Sequence, residues 1–379
     1  MNILNIRISH GYGGAEKFII SLFNSLSNKY VFNVTHFTNN TKLYKNLKIE
    51  RQRVYKLADE LDEVGTKMEI LYFLKYIRKY IYSYKRIFNY LANSDTDIII
   101  LHSTTEKLLL TFIFKKRGYK VVWFEHGPFY IVPRAMIIKI FHRRVSVYAD
   151  KILAVSKGTK FDLMKGGVPS NKIIVFYIGI DTNMYKPNKT LKRVLRKKMK
   201  IDPKTYCIGY IGNVNYEKGI GRFMEVADNL NEGSDKFSYI VIGTGPAVGE
   251  IKKINKSLRN KYICTGHVDN IHEYLNILDV MLLPTEHIEG ISLAILEAMS
   301  MGICVVTKDI GGSKEIISNN INGILYKKFL AKRISDIILV IYDNSIQIRQ
   351  IKINARKTII ENFKLSNSAL KFKEIIQTL

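Results

Sequence analysis

The feature that most constrains the fold is an alternation of short apolar runs with helix-length segments, and it occurs twice along the chain. Strands that alternate with helices in this way form parallel sheets covered by helices. The apolar runs of the first half are ILNIRIS (3–9), VFNVTHF (31–37), DIIILHS (97–103), KVVWFEHG (120–127) and KILAVS (151–156). Those of the second half are CIGYIGNV (207–214), FSYIVIGTG (237–245), KYICTG (261–266), DVMLLP (279–284) and ICVVTKD (303–309).

A polar, strongly basic stretch without strand patterning separates the two halves, around 183–205. A chain of 379 residues also suggests two domains by its length. We therefore predict an α/β protein with two doubly wound, Rossmann-like domains. The predicted limits are an N-terminal domain at 1–182, a linker at 183–205, a C-terminal domain at 206–352 and a C-terminal helix at 353–379 that packs back on the N-terminal domain.

The net charge of +26 is the strongest signal in the composition. It indicates an acidic partner, which leaves nucleic acid, anionic lipid head groups and a phosphorylated substrate as alternatives. Abundant Ile, Asn, Lys and Tyr are also typical of an AT-rich genome, which raises the lysine content without any functional demand. The charge alone does not choose among these explanations.

The compartment is predicted from the cysteines and from the start of the chain. Cys207, Cys264 and Cys304 are scattered and form no metal-binding spacing, which favours a reducing cytoplasm. The start, MNILNIRISHGYGG, lacks the basic and apolar regions of a signal peptide. The most apolar stretch, 97–114, contains His102, Glu106 and Lys107, so we expect no transmembrane span.

The segment EGISLAILE (289–297) places a glutamate at each end of an apolar run. On one continuous helix the two carboxylates would be about 80° apart around the axis, too far to serve as partners. Ser292 is a predicted N-cap, and Gly302 ends the predicted helix. The free N–H groups from Ile291 onward then form an anion site, with the helix dipole behind it.

An anion site flanked by two carboxylates suits a nucleotide sugar. The diphosphate would lie at the helix end, and Glu289 and Glu297 would accept hydrogen bonds from sugar and ribose hydroxyls. A buried helix with incidental surface glutamates explains the spacing equally well. Ligands of parallel α/β sheets bind at the carboxyl ends of the strands, and the other candidate motifs are also predicted there.

Four further motifs follow predicted strands, and each has a plain structural alternative. Lys218 in YIGNVNYEKG follows the turn at Gly212 and could neutralise a departing diphosphate, or it is simply a solvated loop lysine. Gly13 and Gly14 in HGYGGAEKF permit close backbone approach to a ligand, or they form a tight turn. His126 in FEHGPF could bind a sugar hydroxyl or move a proton, although most single histidines are structural. In IGGSKEII (310–317), Ser313 could cap a second helix that accepts an anion.

These motifs together resemble retaining glycosyltransferases of family 4, whose fold is GT-B, with two Rossmann-like domains facing a central cleft. EGISLAILEAMSMGICVVTKDIGGSKEII looks like the Glu-x7-Glu signature of that family. The order and spacing of GYGGAEKF, FEHGPF, LAVSK, GIDTNMYKP, YIGNVNYEKG and VIGTGP agree with it as well. The resemblance covers nearly the whole chain.

The resemblance implies roles for the candidate residues. Glu289 and His126 would contact the donor sugar, Glu297 would bind the ribose, and Lys218 would stabilise the diphosphate. The family usually has an arginine after the first glycine of YIGNVNYEKG, where this chain has the neutral Asn213. The donor site implied by the resemblance and the spacing consists of Gly13, Gly14, Gly212, Asn213, Lys218, Gly290, Ile291, Ser292, Leu293 and Glu297. The resemblance implies no obligatory metal or other cofactor.

Two basic, aromatic stretches lie in the half that would hold the acceptor. They are FLKYIRKYIYSYKRIFNYL (73–91) and FYIVPRAMIIKIFHRR (129–144), and both suit an interfacial position on anionic lipid. The alternative is a helix with its core face inward and its lysines solvated.

The function predicted is transfer of a sugar, with retention, from a nucleotide diphosphate sugar to a hydroxyl of a glycolipid or polyprenyl-diphosphate-linked acceptor, or another glycan. Such an enzyme of surface-polysaccharide assembly would be cytoplasmic and peripheral to the inner face of the cell membrane. A sugar-nucleotide epimerase of the same fold is the alternative enzyme. A basic nucleic-acid-binding protein is a third possibility, which the order of the motifs disfavours, so nucleic acid is not an expected partner.

Overall fold

The structure is a computed structural model, and it describes residues 1–9, 13–29, 32–47, 52–59, 61, 67–231, 236–257 and 262–379. Its internal contacts divide the chain into two compact units. The first comprises Met1–Gly179 and Leu365–Leu379, and the second comprises Ile180–Lys364. Each unit contains one parallel sheet with helices, which confirms the predicted pair of doubly wound domains.

The first unit contains a seven-stranded sheet in the order β3-β2-β1-β4-β5-β6-β7. Its strands are β1 (Asn2–Arg7), β2 (Asn33–Thr38), β3 (Gln52–Lys56), β4 (Ile98–Leu101), β5 (Lys120–Glu125), β6 (Lys151–Ala154) and β7 (Ile173–Val175). Its helices up to β7 are α1 (Gly14–Lys29), α2 (Thr41–Asn46), α3 (Lys67–Lys75), α4 (Ile77–Ala92), α5 (Thr104–Lys116), α6 (Met136–Ser146) and α7 (Lys157–Lys165).

The second unit contains a six-stranded parallel sheet in the order β10-β9-β8-β11-β12-β13. Its strands are β8 (Tyr206–Ile211), β9 (Phe237–Ile242), β10 (Tyr262–Gly266), β11 (Val280–Leu283), β12 (Cys304–Lys308) and β13 (Ile324–Tyr326). Its helices are α8 (Lys189–Lys198), α9 (Ile220–Asn231), α10 (Val248–Ser257), α11 (Ile271–Leu275), α12 (Leu293–Ser300), α13 (Ser313–Ile316), α14 (Ala331–Asp343) and α15 (Ser345–Asn362).

The ten predicted strands are all present, within a few residues of the predicted limits. Strands β3, β7 and β13 are not among the apolar runs that predicted the other ten strands. All three lie at the edge of a sheet, and two of them are only three residues long, so they carry little apolar pattern. In both sheets the strand order reverses next to the first strand, between β1 and β4 and between β8 and β11. Ligands of such folds bind outside the carboxyl ends of the strands at this reversal.

The basic stretch at 183–205 belongs to the second unit, whereas the last residues of the chain, Leu365–Leu379, belong to the first. Helix α8 lies in the second unit, where Lys192 and the nearly buried Arg196 both donate to Asp279, each at 2.6 Å. Helix α15 also lies in the second unit, whereas α16 (Leu365–Gln377) lies in the first. Helix α16 packs on α1, with the rings of Phe23 and Phe372 at 5.9 Å.

No described helix combines the length and apolar composition needed to cross a membrane.

Candidate active site

The loop after β8 holds Lys218 on an ordered turn of the second unit. Gly212 has φ +139°, and a Cβ added there would meet nothing within 4 Å. The carbonyl of the exposed Asn213 accepts from the Tyr210 hydroxyl at 2.8 Å. The Asn215 side chain accepts from the Lys218 N–H at 2.8 Å, which defines the turn locally. The loop therefore presents one cation, from Lys218, and an open backbone position at Gly212.

Lys218 forms an ion pair with Glu289, which lies in the loop after β11. Both side chains are about a quarter exposed, at 26% and 27%. Two of the three predicted catalytic residues therefore lie together at the carboxyl edge of the second sheet. His126, the third, lies in the first unit.

A second charge cluster lies on the same edge of the second sheet. Glu286 accepts from both Lys308, at the end of β12, and Arg222, in α9. The Arg222 guanidinium also lies over the Phe329 ring, 5.1 Å from its centroid. Arg222 therefore contacts Glu286 and Phe329 and belongs to a different charge cluster from the Lys218–Glu289 pair. The sequence reading assigned no role to Glu286 or Lys308, which carry no motif.

Helix α12 begins as predicted, with Ser292 at the N-cap in an extended conformation. The Ser292 side chain makes no capping hydrogen bond. Because the first-turn N–H groups of a helix have no helical acceptor, they stay available for an anion. Gly290, Ile291, Ser292 and Leu293 are all buried, so these predicted donor-site residues offer backbone rather than side chains.

Glu297 lies in the middle of α12 and is only 4% exposed. Its carboxylate accepts a hydrogen bond from the Tyr185 hydroxyl at 2.7 Å. The Tyr185 carbonyl in turn accepts from Ser300 at 2.8 Å and from Arg356 at 3.0 Å. Tyr185 belongs to GIDTNMYKP, one of the segments that carry the family resemblance, but the sequence alone predicts no role for this tyrosine. Only the folded structure shows that it holds Glu297.

At this edge, glycines of one loop lie close to the backbone of a neighbouring loop. A Cβ on Gly312 would lie 1.5 Å from the Gly290 carbonyl oxygen, and one on Gly311 would lie 2.4 Å from that of Glu289. A Cβ on Gly219 would lie 2.1 Å from the Pro284 carbonyl oxygen. The glycines therefore allow the loops after β8, β11 and β12 to pack backbone against backbone, which fixes the position of Glu289.

The predicted capping role of Ser313 is wrong. Helix α13 spans only four residues, and Gly312 occupies its N-cap position. The Ser313 hydroxyl instead donates to the carbonyls of Lys308 and Ile310, at 2.7 and 2.6 Å. It closes the turn after β12, because those carbonyls lie within reach once Gly311 adopts φ +55°.

In the first unit, Gly13 and Gly14 are exposed at the start of α1. The Gly13 N–H donates to Glu16 Oε2 at 2.9 Å, which is the reciprocal half of a capping box. Glu16 also accepts from Arg7 at 2.8 Å and from Ser9 at 3.0 Å. The rest of the predicted turn, 10–12, lies outside the described residues. Gly13 is thus linked through Glu16 to Arg7 and Ser9 at the carboxyl end of β1.

His126 follows β5, and its Nε2 lies 2.9 Å from Nδ1 of the buried His102. The loop that contains it is tethered by Asp162, whose carboxylate accepts from the N–H groups of Phe129, Tyr130 and Ile131 at 2.6–2.7 Å. Burial and the positive charges of Arg7 and Lys107 lower the pKa of His126 to about 3. The ring is therefore neutral at physiological pH.

Glu125, next to His126 in the chain, is a buried carboxylate with two partners. It is 5% exposed and pairs with Lys107 at 2.8 Å and with His142 at 3.2 Å. Burial alone would raise the pKa of Glu125, but Lys107 and His142 outweigh it and hold that pKa at about 2. Burial and these partners place Glu125 in the core of the unit.

Within the described part of the chain, no group of three or more His, Cys, Asp or Glu side chains is arranged to hold a metal ion. Cys207, Cys264 and Cys304, all within the described residues, form no disulfide, and burial raises the pKa of Cys207 and of Cys304 to about 12. Neither of those thiols is activated for nucleophilic chemistry.

The chain matches two glycosyltransferase family models that adjoin one another. The model described as Glycosyltransferase Family 4 matches 12–184, and that described as Glycosyl transferases group 1 matches 192–358. The protein is therefore a glycosyltransferase of family 4, with the two Rossmann-like domains of the GT-B fold.

Individual relatives are distant but extend over most of the chain. An uncharacterised glycosyltransferase of Methanocaldococcus jannaschii is 23% identical, over 97% of this chain and 95% of its own length. The Escherichia coli UDP-Gal:alpha-D-GlcNAc-diphosphoundecaprenol alpha-1,3-galactosyltransferase is 22% identical, over 76% of this chain and 77% of its own. The crystal structure of Anabaena HepE with UDP-glucose superposes with a TM-score of 0.80 at 17% identity, covering both chains fully.

Proposed function

We propose that the protein transfers a sugar, with retention, from a nucleotide diphosphate sugar to a hydroxyl of a membrane-associated glycolipid or polyprenyl-diphosphate-linked acceptor in surface-polysaccharide assembly. The observation that carries the proposal is the Lys218–Glu289 pair at the carboxyl edge of the second sheet. It belongs to the same edge as the N-terminus of α12, which has no side-chain cap.

The donor diphosphate is assigned to Lys218 and the first-turn N–H groups of α12. Both favour negative charge, and the helix dipole adds to them. When the diphosphate departs, the Lys218 ammonium and these N–H groups stabilise the charge that develops. Because Asn213 is neutral, Lys218 is the cation of this loop on which leaving-group stabilisation rests. Under this proposal neither binding nor departure requires a metal.

The transferred sugar is assigned to Glu289 and His126. A carboxylate accepts hydrogen bonds from sugar hydroxyls, and Glu289 is held in place by the glycine contacts of its loop. The acceptor hydroxyl attacks from the side on which the diphosphate leaves, which gives retention. The complex of HepE with UDP-glucose supports a nucleotide diphosphate sugar as the class of donor.

Glu297 is assigned to the ribose hydroxyls. Its carboxylate is buried and oriented by Tyr185, and a carboxylate oxygen can accept more than one hydrogen bond. Glu297 lies about one turn beyond Leu293. It is therefore on the same helix, α12, whose N-terminus would bind the diphosphate.

The acceptor is assigned to a membrane surface because of the outer face of α6. Met136, Ile137, Ile140 and Phe141 are 41–71% exposed there. Arg143 and Arg144 of the same helix are exposed, whereas its lysine, Lys139, donates to the Tyr130 carbonyl at 2.6 Å. A helix whose solvent face is apolar and basic suits the interface of an anionic membrane.

A similar face is present on α3 and α4. Leu71, Leu74, Ile77, Ile81 and Tyr82 are 40–64% exposed, and exposed basic residues interleave with them, namely Lys75, Arg78 and Lys85. The Escherichia coli relative acts on a diphosphoundecaprenol-linked sugar, which supports a lipid-linked acceptor for this chain. Under this proposal the protein works in the cytoplasm, peripherally on the inner face of the membrane.

The test is a thermal-shift panel of nucleotide diphosphates and their sugars. A ligand that binds the native state raises the melting temperature, by an amount that grows with its concentration above Kd. We expect one nucleotide series to give such a shift, with or without a chelator, and Glu297→Ala to abolish it. Glu273→Ala, on the short helix α11, is the matched control and should keep the shift.

Transfer is then followed with the ligand that shifts the protein, using lipid extracts as acceptor and NMR of the product for its anomeric configuration. A panel without any shift would overturn the proposal. Conversion of the donor to an epimer in the absence of acceptor would assign the alternative enzyme activity. An inverted product would remove retention while leaving glycosyl transfer in place.

A further inference from the structure

A chain of hydrogen bonds runs from His126 through the interior of the first unit, and its residues lie on or just after five neighbouring strands, β5, β4, β1, β2 and β3. His126 Nε2 lies 2.9 Å from His102 Nδ1, and His102 Nε2 lies 2.6 Å from Asn5 Oδ1. Asn5 Nδ2 lies 3.1 Å from His36 Nδ1, and His36 Nε2 lies 3.0 Å from Gln52 Oε1. His102, Asn5 and His36 are at most 3% exposed, so water does not compete for these bonds.

Two backbone carbonyls at the far end set the direction of the chain. Gln52 Nε2 lies 3.4 Å from the Phe23 carbonyl and 3.1 Å from Asn24 Oδ1. Asn24 Nδ2 lies 3.4 Å from the Asn46 carbonyl. A carbonyl only accepts hydrogen bonds. The amide nitrogens of Gln52 and Asn24 must therefore face these carbonyls, which turns the Gln52 oxygen toward His36.

Each later link then follows from the preceding one. The Gln52 oxygen accepts, so His36 carries its proton on Nε2, and its Nδ1 accepts from the Asn5 amide. The Asn5 oxygen then faces His102, which must donate from Nε2 and accept at Nδ1. His126 consequently donates from Nε2 and keeps its Nδ1 unprotonated. The assignment gives both ring nitrogens of His36 and of His102 a hydrogen-bond partner while their rings stay neutral, and burial holds the pKa of each well below the usual value.

We propose that His102, Asn5 and His36 are positioning residues that hold His126 in the Nε2–H tautomer, with Nδ1 as a hydrogen-bond acceptor for a substrate hydroxyl. The ring is partly exposed, and the described residues offer no hydrogen bond to its Nδ1. This inference rests on the proposed function for the role of His126. It adds that the substrate group opposite Nδ1 carries a hydrogen, as a sugar hydroxyl does and an ionised phosphate oxygen does not.

The tautomer is measured directly by long-range ¹H–¹⁵N correlation spectra of the histidine side chains in the full-length protein. His126→Phe and His102→Phe serve to assign the signals. We expect a protonated Nε2 and an unprotonated Nδ1 for His126, His102 and His36 at neutral pH. His267, whose side chain is 41% exposed, is the internal reference for a histidine in exchange with solvent. A protonated Nδ1 on His126 would overturn the inference.

The effect on the reaction is measured with two replacements of His102. His102→Phe keeps an aromatic ring in the stack with Phe124 and His126, whose centroids lie 5.3 and 5.2 Å away, but accepts no hydrogen bond. His102→Asn places an oxygen two bonds from Cβ, where Nδ1 of the imidazole lies, and so still accepts from His126. We expect His102→Phe to lower kcat about tenfold, because the His126 ring loses the hydrogen bond that positions it and a misplaced catalytic group slows the reaction. His102→Asn should recover most of that loss, and neither should change the KM for the donor more than twofold.

The two proposals fail in different ways. Equal activities of the two variants in an active enzyme would refute the positioning role while leaving the glycosyltransferase reaction intact. If the wild type transfers no sugar, the proposed function fails, and the spectra still decide the tautomer. If His102→Phe does not fold, the spectra of the wild type and the activity of His102→Asn still test the inference.

Discussion

Lys218 and Glu289 are 71 residues apart in the chain, and the fold makes them an ion pair. Because both side chains are about a quarter exposed, the pair contributes little to stability, under about 1 kcal/mol. A pair with such a small effect on folding can open for a substrate at low cost. Under the proposed function, this low cost lets Lys218 bind the diphosphate and Glu289 bind the sugar.

Replacing Glu289 with Gln should lower the rate of sugar transfer by about 10²-fold, because an amide accepts more weakly than a carboxylate from the sugar hydroxyls. The melting temperature should stay within about 2 °C of the wild type, as expected for an exposed pair. Steady-state kinetics with the donor found in the thermal-shift panel provide the measurement. Glu286→Gln, on the same loop but paired with Arg222 and Lys308, is the matched control and should stay within a few-fold of wild type. Equal losses in the two variants would contradict a specific role for Glu289.

At the scale of elements, the loops of the second sheet are positioned by glycines whose neighbours are backbone atoms. Gly312 has φ −77°, which any residue adopts, so only the contact with Gly290 demands a glycine there. From the sequence, Gly212 and Gly290 of this edge are predicted to belong to the donor site. The structure shows that several are places where one loop approaches another, with Gly212 as the open exception.

Gly312→Ala should displace the loop of Glu289, destabilise the protein by about 1–3 kcal/mol and lower transfer activity. Thermal unfolding and kinetics measure the two effects. Gly249→Ala is the matched control, because a Cβ at that helical position meets nothing within 4 Å. It should be neutral or stabilise by up to about 1 kcal/mol. A Gly312→Ala protein as active and stable as the control would show that the loop contact is unimportant.

The strands of the first sheet carry neutral buried histidines, which make its stability depend on pH. Burial lowers the pKa of His36 to about 3, against 6.5 for an unfolded chain. Between those values the unfolded state binds a proton that the native state does not, so stability falls as the pH falls below about 6.5. At pH 5 the cost from His36 is on the order of 2 kcal/mol.

We therefore expect the melting temperature to drop between pH 7 and pH 5, above the range in which the carboxylate of Glu125 titrates. His36→Gln keeps one acceptor and one donor but cannot ionise, so its melting temperature should depend less steeply on pH. Identical slopes for His36→Gln and wild type would show that His36 does not contribute.

At the scale of the whole molecule, the charge of +26 is spread over many solvated side chains, but α6 combines it with exposed apolar groups. A charge excess alone is compatible with nucleic acid or with genome composition. Four large apolar side chains on a solvent face favour a membrane, because contiguous exposed apolar patches are uncommon on soluble surfaces.

The protein should co-sediment with vesicles containing anionic lipid and bind zwitterionic vesicles much more weakly. The double variant Ile137→Ser/Phe141→Ser should weaken this binding at least tenfold, and Arg143→Gln/Arg144→Gln should lower it by about 1 kcal/mol per charge. Higher salt should weaken the binding as well. Ile346→Ser, in the second unit and 84% exposed, is the control and should bind as wild type does. Equal binding to both vesicle types would contradict an electrostatic membrane site.

The sequence by itself determined the two parallel sheets, because the periodicities of strands and helices are local properties of the sequence. The alternation of strands with helices along the chain then predicts parallel sheets. It also placed Lys218, Glu289 and the start of α12 at strand ends, since the order of elements decides which loops meet at the carboxyl edge. It missed the short edge strands, whose few residues are half-exposed and lack a pattern. Charge likewise identified basic stretches without showing which lysines, such as Lys139, are engaged internally.

Only the tertiary structure decided the partners of these residues. Tyr185 holds Glu297 across 112 positions of the chain, and Asn5 meets His102 across 97. Such pairs depend on which strands are neighbours and on the direction of each side chain, and neither is encoded in local composition. The tautomer of His126 is the clearest case, because it is set by carbonyls at the other end of a chain of buried hydrogen bonds.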